Sequence, residues 1–239
     1  MRQLYRRAAV LLCAAALPAI AGAEEMTIVS KVTVNQGAPA TSTQYLGAQK
    51  VRTTDGETDT IVDVAAGRYI VISHKKKEYF EFTRDEMLAA MQKYEAQMSG
   101  PMGAMMEKMM GGKVGEVNVQ KGAVRKIAGY DCTSYTVTLG DNMKYELCAA
   151  EALSIPSAYY DALKGPYSMM GPMGRRFVKV FEEMKKIKGV PIAMNGNVNV
   201  MTIKMNMASE ATEVKRGAIP ESAFAVPAGY KKKDSPFKG

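Results

Sequence analysis

The sequence predicts an α+β protein: a large, curved antiparallel sheet with helices laid across one face. Three observations predict it. Short period-two segments crowd the first part of the chain, two segments of helical period interrupt them, and strand-like runs follow each interruption. The chain has 239 residues, 47% hydrophobic and 23% charged, which suits a globular protein rather than a disordered one. One His, three Cys and no Trp leave little material for a His-based metal site or a catalytic triad, whereas 19 Met is unusual.

The first element is a targeting segment. A basic stretch to Arg7, an apolar run from Ala8 to Ile20 and the small residues Ala21-Gly22-Ala23 match an export signal covering residues 1–23. The apolar run is too short to span a bilayer, and Pro18 interrupts it. Cleavage would leave residues 24–239 as a single α+β unit in the periplasm. It would remove three Arg and no acid, taking the net charge from +8 to +5. The triplets Lys75-Lys76-Lys77 and Lys231-Lys232-Lys233 then read as solvated turns or tails, with at most a weak attraction to an anionic membrane surface and none to nucleic acid.

Alternating segments at Met26 to Val34, Thr43 to Val51, Thr58 to Val64, Arg68 to Ser73 and Lys77 to Phe82 are separated by Gly-containing turn signals and form a meander. Thr83-Arg84-Asp85-Glu86 is a capping box, and Met87, Leu88, Met91, Tyr94 and Met98 continue it as a helical stripe. Strands return at Val114 to Gln120 and Ala123 to Ile127. A short helix is predicted over Ser157 to Leu163 and a longer one over Gly174 to Lys188, with Phe177, Val180, Phe181, Met184 and Ile187 inward. Asn195-Gly196 predicts a hairpin turn between Val190–Met194 and Asn197–Met207, and Ala211 to Arg216 a last strand before a Pro-containing tail.

Two cysteines remain after cleavage, Cys132 and Cys148, in an oxidising compartment. They lie on the arms of a hairpin, Asp131 to Leu139 and Met143 to Ala149. Setting them directly opposite puts Tyr135 against Tyr145 and Val137 against Met143, with an apolar odd-numbered face and a polar even-numbered one. A structural disulfide is the expectation.

Several short motifs carry a resemblance. Lys126-Ile127-Ala128-Gly129-Tyr130-Asp131-Cys132, Glu146-Leu147-Cys148-Ala149, Leu153-Ser154-Ile155-Pro156, Gly189-Val190-Pro191-Ile192 and Phe224-Ala225-Val226-Pro227-Ala228-Gly229-Tyr230-Lys231 occur in that order. The chain resembles a family of exported bacterial proteins catalogued as a domain of unknown function, itself similar to the periplasmic lipoprotein-carrier proteins. It departs from the family pattern at Leu147-Cys148-Ala149, where an aromatic residue is expected. The resemblance implies an open half-barrel whose concave face is lidded by helices and holds acyl chains.

The leading functional expectation is a non-catalytic, monomeric carrier or sensor of a lipid-like ligand, needing no cofactor. Met adapts to irregular apolar shapes, so Met87, Met91, Phe177, Phe181, Met201, Ile203 and Met205 are the candidate lining. A second reading is Cu(I) binding by Met102, Met105, Met106, Met109 and Met110, because thioethers select soft ions. A third is a structural or interaction protein with a filled core and an envelope protein as partner. Catalysis is not expected: no G-x-S-x-G or phosphate loop occurs, and His74, beside three Lys, reads as solvated.

Overall fold

The structure is a computed structural model that describes residues 24–98, 100, 105, 115–140, 143–154, 159–160, 171–200 and 203–237. The predicted export signal lies outside them, and of the predicted Ser157–Leu163 helix only Tyr159 and Tyr160, both helical, are described.

Six strands open the chain: β1 (Met26–Val34), β2 (Ala40–Leu46), β3 (Lys50–Thr54), β4 (Thr58–Asp63), β5 (Arg68–Ser73) and β6 (Glu78–Thr83). Helix α1 (Arg84–Met98) follows, then β7 (Val117–Ile127), β8 (Tyr130–Leu139) and β9 (Met143–Ala150). Helix α2 (Gly171–Met184) precedes β10 (Val190–Val200) and β11 (Ile203–Arg216). A 3-10 turn (Glu221–Phe224) leads to the short β12 (Lys231–Lys233). All twelve strands join one open sheet in the order β12-β6-β5-β4-β3-β2-β1-β11-β10-β9-β8-β7. Every neighbour is antiparallel except β12, which runs parallel to β6.

The capping box forms as the sequence predicts. The Glu86 N–H donates to Thr83 Oγ1 at 3.2 Å and the Thr83 N–H to Glu86 Oε2 at 2.8 Å, satisfying donors that a helix start leaves open. On α2 the predicted stripe is inward: Phe177, Val180 and Met184 are buried, and Phe181 and Ile187 pack beside them, although the helix ends at Met184.

Four expectations about strands need correction. The predicted Thr43–Val51 strand is two, because the chain turns at Gly47, whose N–H donates to the Lys50 carbonyl at 2.9 Å. The two strands predicted on either side of Lys121-Gly122 are one, β7, which absorbs an irregularity between Lys121 and Val124 as a bulge. Asn195-Gly196 is no turn: β10 runs straight through it and β11 continues to Arg216. Gly196 instead faces Tyr145 on β9, and a Cβ there would lie 2.8 Å from the ring carbon Cε1. The Lys231–Lys233 triplet, expected as a solvated tail, is an edge strand with exposed side chains.

The Cys132–Cys148 disulfide is present, with the Cα atoms 5.3 Å apart. The hairpin register is shifted by two residues from the expected one. Leu139 pairs with Met143, so Val137 faces Tyr145, Tyr135 faces Leu147, and Cys148 faces Ser134 rather than Cys132. The Leu139–Met143 pair closes the described part of the ladder in this register, and the disulfide bridges it diagonally. An even shift preserves the side-chain period, so the odd-numbered face stays apolar as expected.

Replacing both cysteines with Ala removes a cross-link around a loop of about 15 residues and should cost about 3 kcal/mol in urea unfolding under oxidising conditions. An unchanged midpoint would show that the hairpin holds without it. Gly196→Ala should cost about 1–3 kcal/mol by overpacking against Tyr145, with most of the loss recovered by adding Tyr145→Leu. Loss of stability that Tyr145→Leu leaves unrelieved would mean that Gly196 serves the backbone instead.

Candidate functional site

Register carries one sheet face from edge to edge. Phe82, Tyr69, Val62, Val51, Leu46 and Met26 stand abreast from β6 to β1. Val34 then faces Met207, and beyond it Met205, Val198, Met143 and Leu139 stand abreast from β11 to β8. Both helices use this face. Met87 of α1 is buried with Val62, Tyr69 and Phe82, while Phe177, Val180 and Met184 of α2 are buried with Val137, Leu139, Met143 and Tyr145. The helices also touch one another.

The predicted lining residues divide accordingly. Met87 belongs to the first cluster, and Phe177, Phe181 and Met205 to the second. Met91, Phe181 and Met205 are half-buried. Met201 lies outside the described residues, and for Ile203 only the backbone is described. Of the methionines proposed for copper, Met102, Met106, Met109 and Met110 lie outside the described residues, and Met105 is exposed. Among the described residues no group of three or more His, Cys, Asp or Glu is placed to hold a metal.

A hollow of about 430 Å³ opens on the helix-bearing face, lined by Val32, Val34, Ala38, Ala40, Ser42, Thr53, Asp55, Thr58 and Thr60. Its origin is a size gradient along the strands. Ile28, Leu46, Val51 and Val62 fill the face at one end. Toward the other end the same face carries Ala40, Ser42, Thr53 and Thr60, which are too short to fill it. Sequence reasoning weighed large apolar residues and so missed these small ones. The signal that could have found them is the large-to-small change along each alternating face.

A second hollow of about 550 Å³ lies on the opposite face, with Lys31, Arg125, Glu146, Glu210 and Cys148 among its walls. Arg125 on β7 reaches Glu210 on β11 at 3.4 Å, although three strands separate them. A flat sheet would hold those strands about 19 Å apart. Their backbones approach one another, so the sheet rolls toward the helix-free face at this end.

The helix-free face of β3 to β5 is covered by the C-terminal segment. Phe224, Val226 and Tyr230 pack on Ile61, Ile70 and Ile72. Beside them is a polar cluster that corrects the expectation of a solvated His74. His74 Nε2 lies 2.9 Å from Asp59 Oδ2, and His74 Nδ1 lies 2.8 Å from the Tyr230 hydroxyl. Arg52 pairs with the same Asp59 oxygen and donates to the Ala223 carbonyl at 2.7 Å. Asp59 is fully buried. Burial pushes its carboxyl up, but hydrogen bonds from Thr54 and His74 and the charge of Arg52 outweigh that and hold it below its ordinary value. One imidazole nitrogen meets Asp59 of β4 and the other the Tyr230 hydroxyl of the C-terminal segment, so His74 clamps that segment to the sheet.

A carboxyl depressed on folding contributes stability above its unfolded pKa, near 4, and that stability is lost as pH falls through the lower folded value. The unfolding free energy should therefore fall steeply below about pH 4. Asp59→Asn should flatten that limb and, by leaving Arg52 unpaired, cost about 3–5 kcal/mol at pH 7. An acid limb of equal steepness in Asp59→Asn would remove Asp59 as its source.

No curated protein matches the chain. Among solved structures, an uncharacterized conserved protein from Thermus thermophilus is 7% identical over 89% of this chain and 91% of that chain, with a TM-score of 0.48. The MucA/MucB complex of Pseudomonas aeruginosa gives 11% identity over 87% of this chain and 57% of that chain, with a TM-score of 0.41. A LolA superfamily protein from Nitrosomonas europaea gives 7% identity over 85% and 90%, with a TM-score of 0.29. A family model described as a domain of unknown function, DUF4412, matches residues 25–230. The chain belongs to the DUF4412 family.

Proposed function

We propose that this is an exported, periplasmic, non-catalytic binding protein that carries or senses a hydrophobic, lipid-like ligand on the helix-bearing face of the sheet. In this reading residues 24–239 form one half-barrel unit, and α1 and α2 cover the large residues of the helix-bearing face beside the ligand. The observation that carries the reading is the hollow beside the helix-covered core: Val32, Val34, Ala38 and Ala40 present apolar surface there without filling it. Its size falls within the range of small-molecule sites, which are concave and mostly apolar with a few polar groups. Ser42, Thr53 and Thr60 supply those polar groups, and the hydroxyls can meet a headgroup or carboxylate.

Met87 and Phe177 are committed to core packing, so the proposed contacts shift to the half-buried Met91, Phe181 and Met205, with Met207 opposite Val34 at the hollow's edge. Met201 and Ile203 remain proposed contacts beside them. The charged hollow on the other face suits an acyl chain poorly, because Lys31, Arg125, Glu146 and Glu210 would lose water without gaining partners.

Extraction of the purified mature protein followed by mass spectrometry should recover co-purifying lipid. Val32→Arg combined with Ala40→Arg, both at positions that are not buried, should abolish that recovery while leaving thermal unfolding within a few degrees of wild type. Equal recovery from the double variant would move the site elsewhere. Absence of lipid from the wild type, with no uptake of a fluorescent fatty acid, would overturn the carrier reading in favour of a structural or interaction role.

A further inference from the structure

We propose that the corner of the sheet where the β5–β6 turn meets β12 is a docking patch for an anionic bilayer surface. Two lysine triplets far apart in sequence are brought together there. Lys75, Lys76 and Lys77 occupy the turn, and Lys231, Lys232 and Lys233 form β12; all six side chains are exposed. The Lys231 N–H donates to the Lys77 carbonyl at 2.9 Å, and Lys231 stands in register with Glu78. The clamp fixes this meeting, because the residues preceding each triplet, His74 and Tyr230, are hydrogen-bonded at 2.8 Å.

The charge is only partly neutralised. Lys232 pairs with Glu81 at 2.8 Å and Lys233 with Glu78 at 3.1 Å. Among the described residues Lys75, Lys76, Lys77 and Lys231 make no ion pair, and the Arg68 charge acts on Lys232 from β5. Lys77 also adopts a left-handed backbone, φ +51°, which Gly or Asn would take more readily. A lysine at that position keeps a third charge on the turn at a conformational cost.

Lysine suits a bilayer better than a shaped acidic partner. Its ammonium is a hydrated point charge on a flexible stem, suited to diffuse attraction to many headgroup phosphates, whereas bidentate recognition of one carboxylate favours arginine. The unpaired lysines stand at a turn and a sheet edge, where a broad flat surface can meet several at once. The patch stands independently of the hydrophobic-ligand reading, since its residues lie outside the hollow.

Sedimentation with phosphatidylcholine vesicles containing about one-third phosphatidylglycerol tests the patch. The intact mature protein should partition onto them at low salt, release as ionic strength rises, and ignore vesicles of phosphatidylcholine alone. Each lysine changed to Gln among Lys75, Lys76, Lys77 and Lys231 should lower the partition constant about fivefold. Lys121→Gln with Lys126→Gln, at the opposite edge, should leave it unchanged. No partitioning of the wild type at low salt, equal binding to neutral vesicles, or equal losses from the β7 control would each overturn the proposal. So would a quadruple variant that still binds the vesicles and loses only the capture of an acidic protein. The Val32→Arg/Ala40→Arg variant should keep vesicle binding while losing lipid, which separates failure of the patch from failure of the carrier reading.

Discussion

The ladder between β1 and β11 is the constraint on which the rest depends. It pairs Met26 with Arg216 at one end and Val34 with Met207 at the other, joining a six-strand meander to strands formed much later in the chain. Because side chains alternate with a period of two, this one register decides that the α1 side of the meander and the α2 side of the later strands are the same face. A slip of a single residue would put the two helices on opposite sides. The bulge between Val29 and Ser30 places an extra β11 residue, Thr212, whose hydroxyl donates to the Val29 carbonyl at 3.2 Å.

With that face fixed, its filling is uneven for a reason visible in side-chain volume. Large residues cluster where α1 and α2 press, and Ala, Ser and Thr occupy the far ends of β2, β3 and β4. The other face is handled differently. Its apolar strip on β4 and β5 is taken out of water by the C-terminal segment, which covers it with Phe224, Val226 and Tyr230. A buried carboxylate at that contact is tolerable only because Arg52 and His74 meet it, and the same groups tie down the tail.

Much of this was legible in the residues. Met26–Val34, which alternates loosely, and the apolar run within Arg68–Ser73 form strands at those limits, and Thr83 with Glu86 marks the start of α1. The cysteine pair was legible because two thiols on the facing arms of one hairpin, in a chain whose sequence predicts export, have few other uses. What failed did so where tertiary contact outweighs local signal. Asn195-Gly196 has the composition of a tight turn, but the glycine makes room for the Tyr145 ring on a neighbouring strand. His74 carries three lysines beside it, yet its partners Asp59 and Tyr230 come from another strand and from the tail. The hollow was missed because its large-to-small signal is spread over three strands whose pairing only the fold reveals, and the lysine corner because sequence distance hides a parallel strand pair.

The central claim is that the helix-bearing face takes its guest at the open ends of β1 and β2. Methyl-resolved NMR of the mature protein, titrated with a long-chain fatty acid, addresses it most directly. The account predicts saturable shifts at the methyl groups of Val32, Val34, Ala38 and Ala40, with Ala193 and Ala208 of the charged hollow unmoved. Shifts confined to Ala193 and Ala208, or none at either hollow, would contradict it.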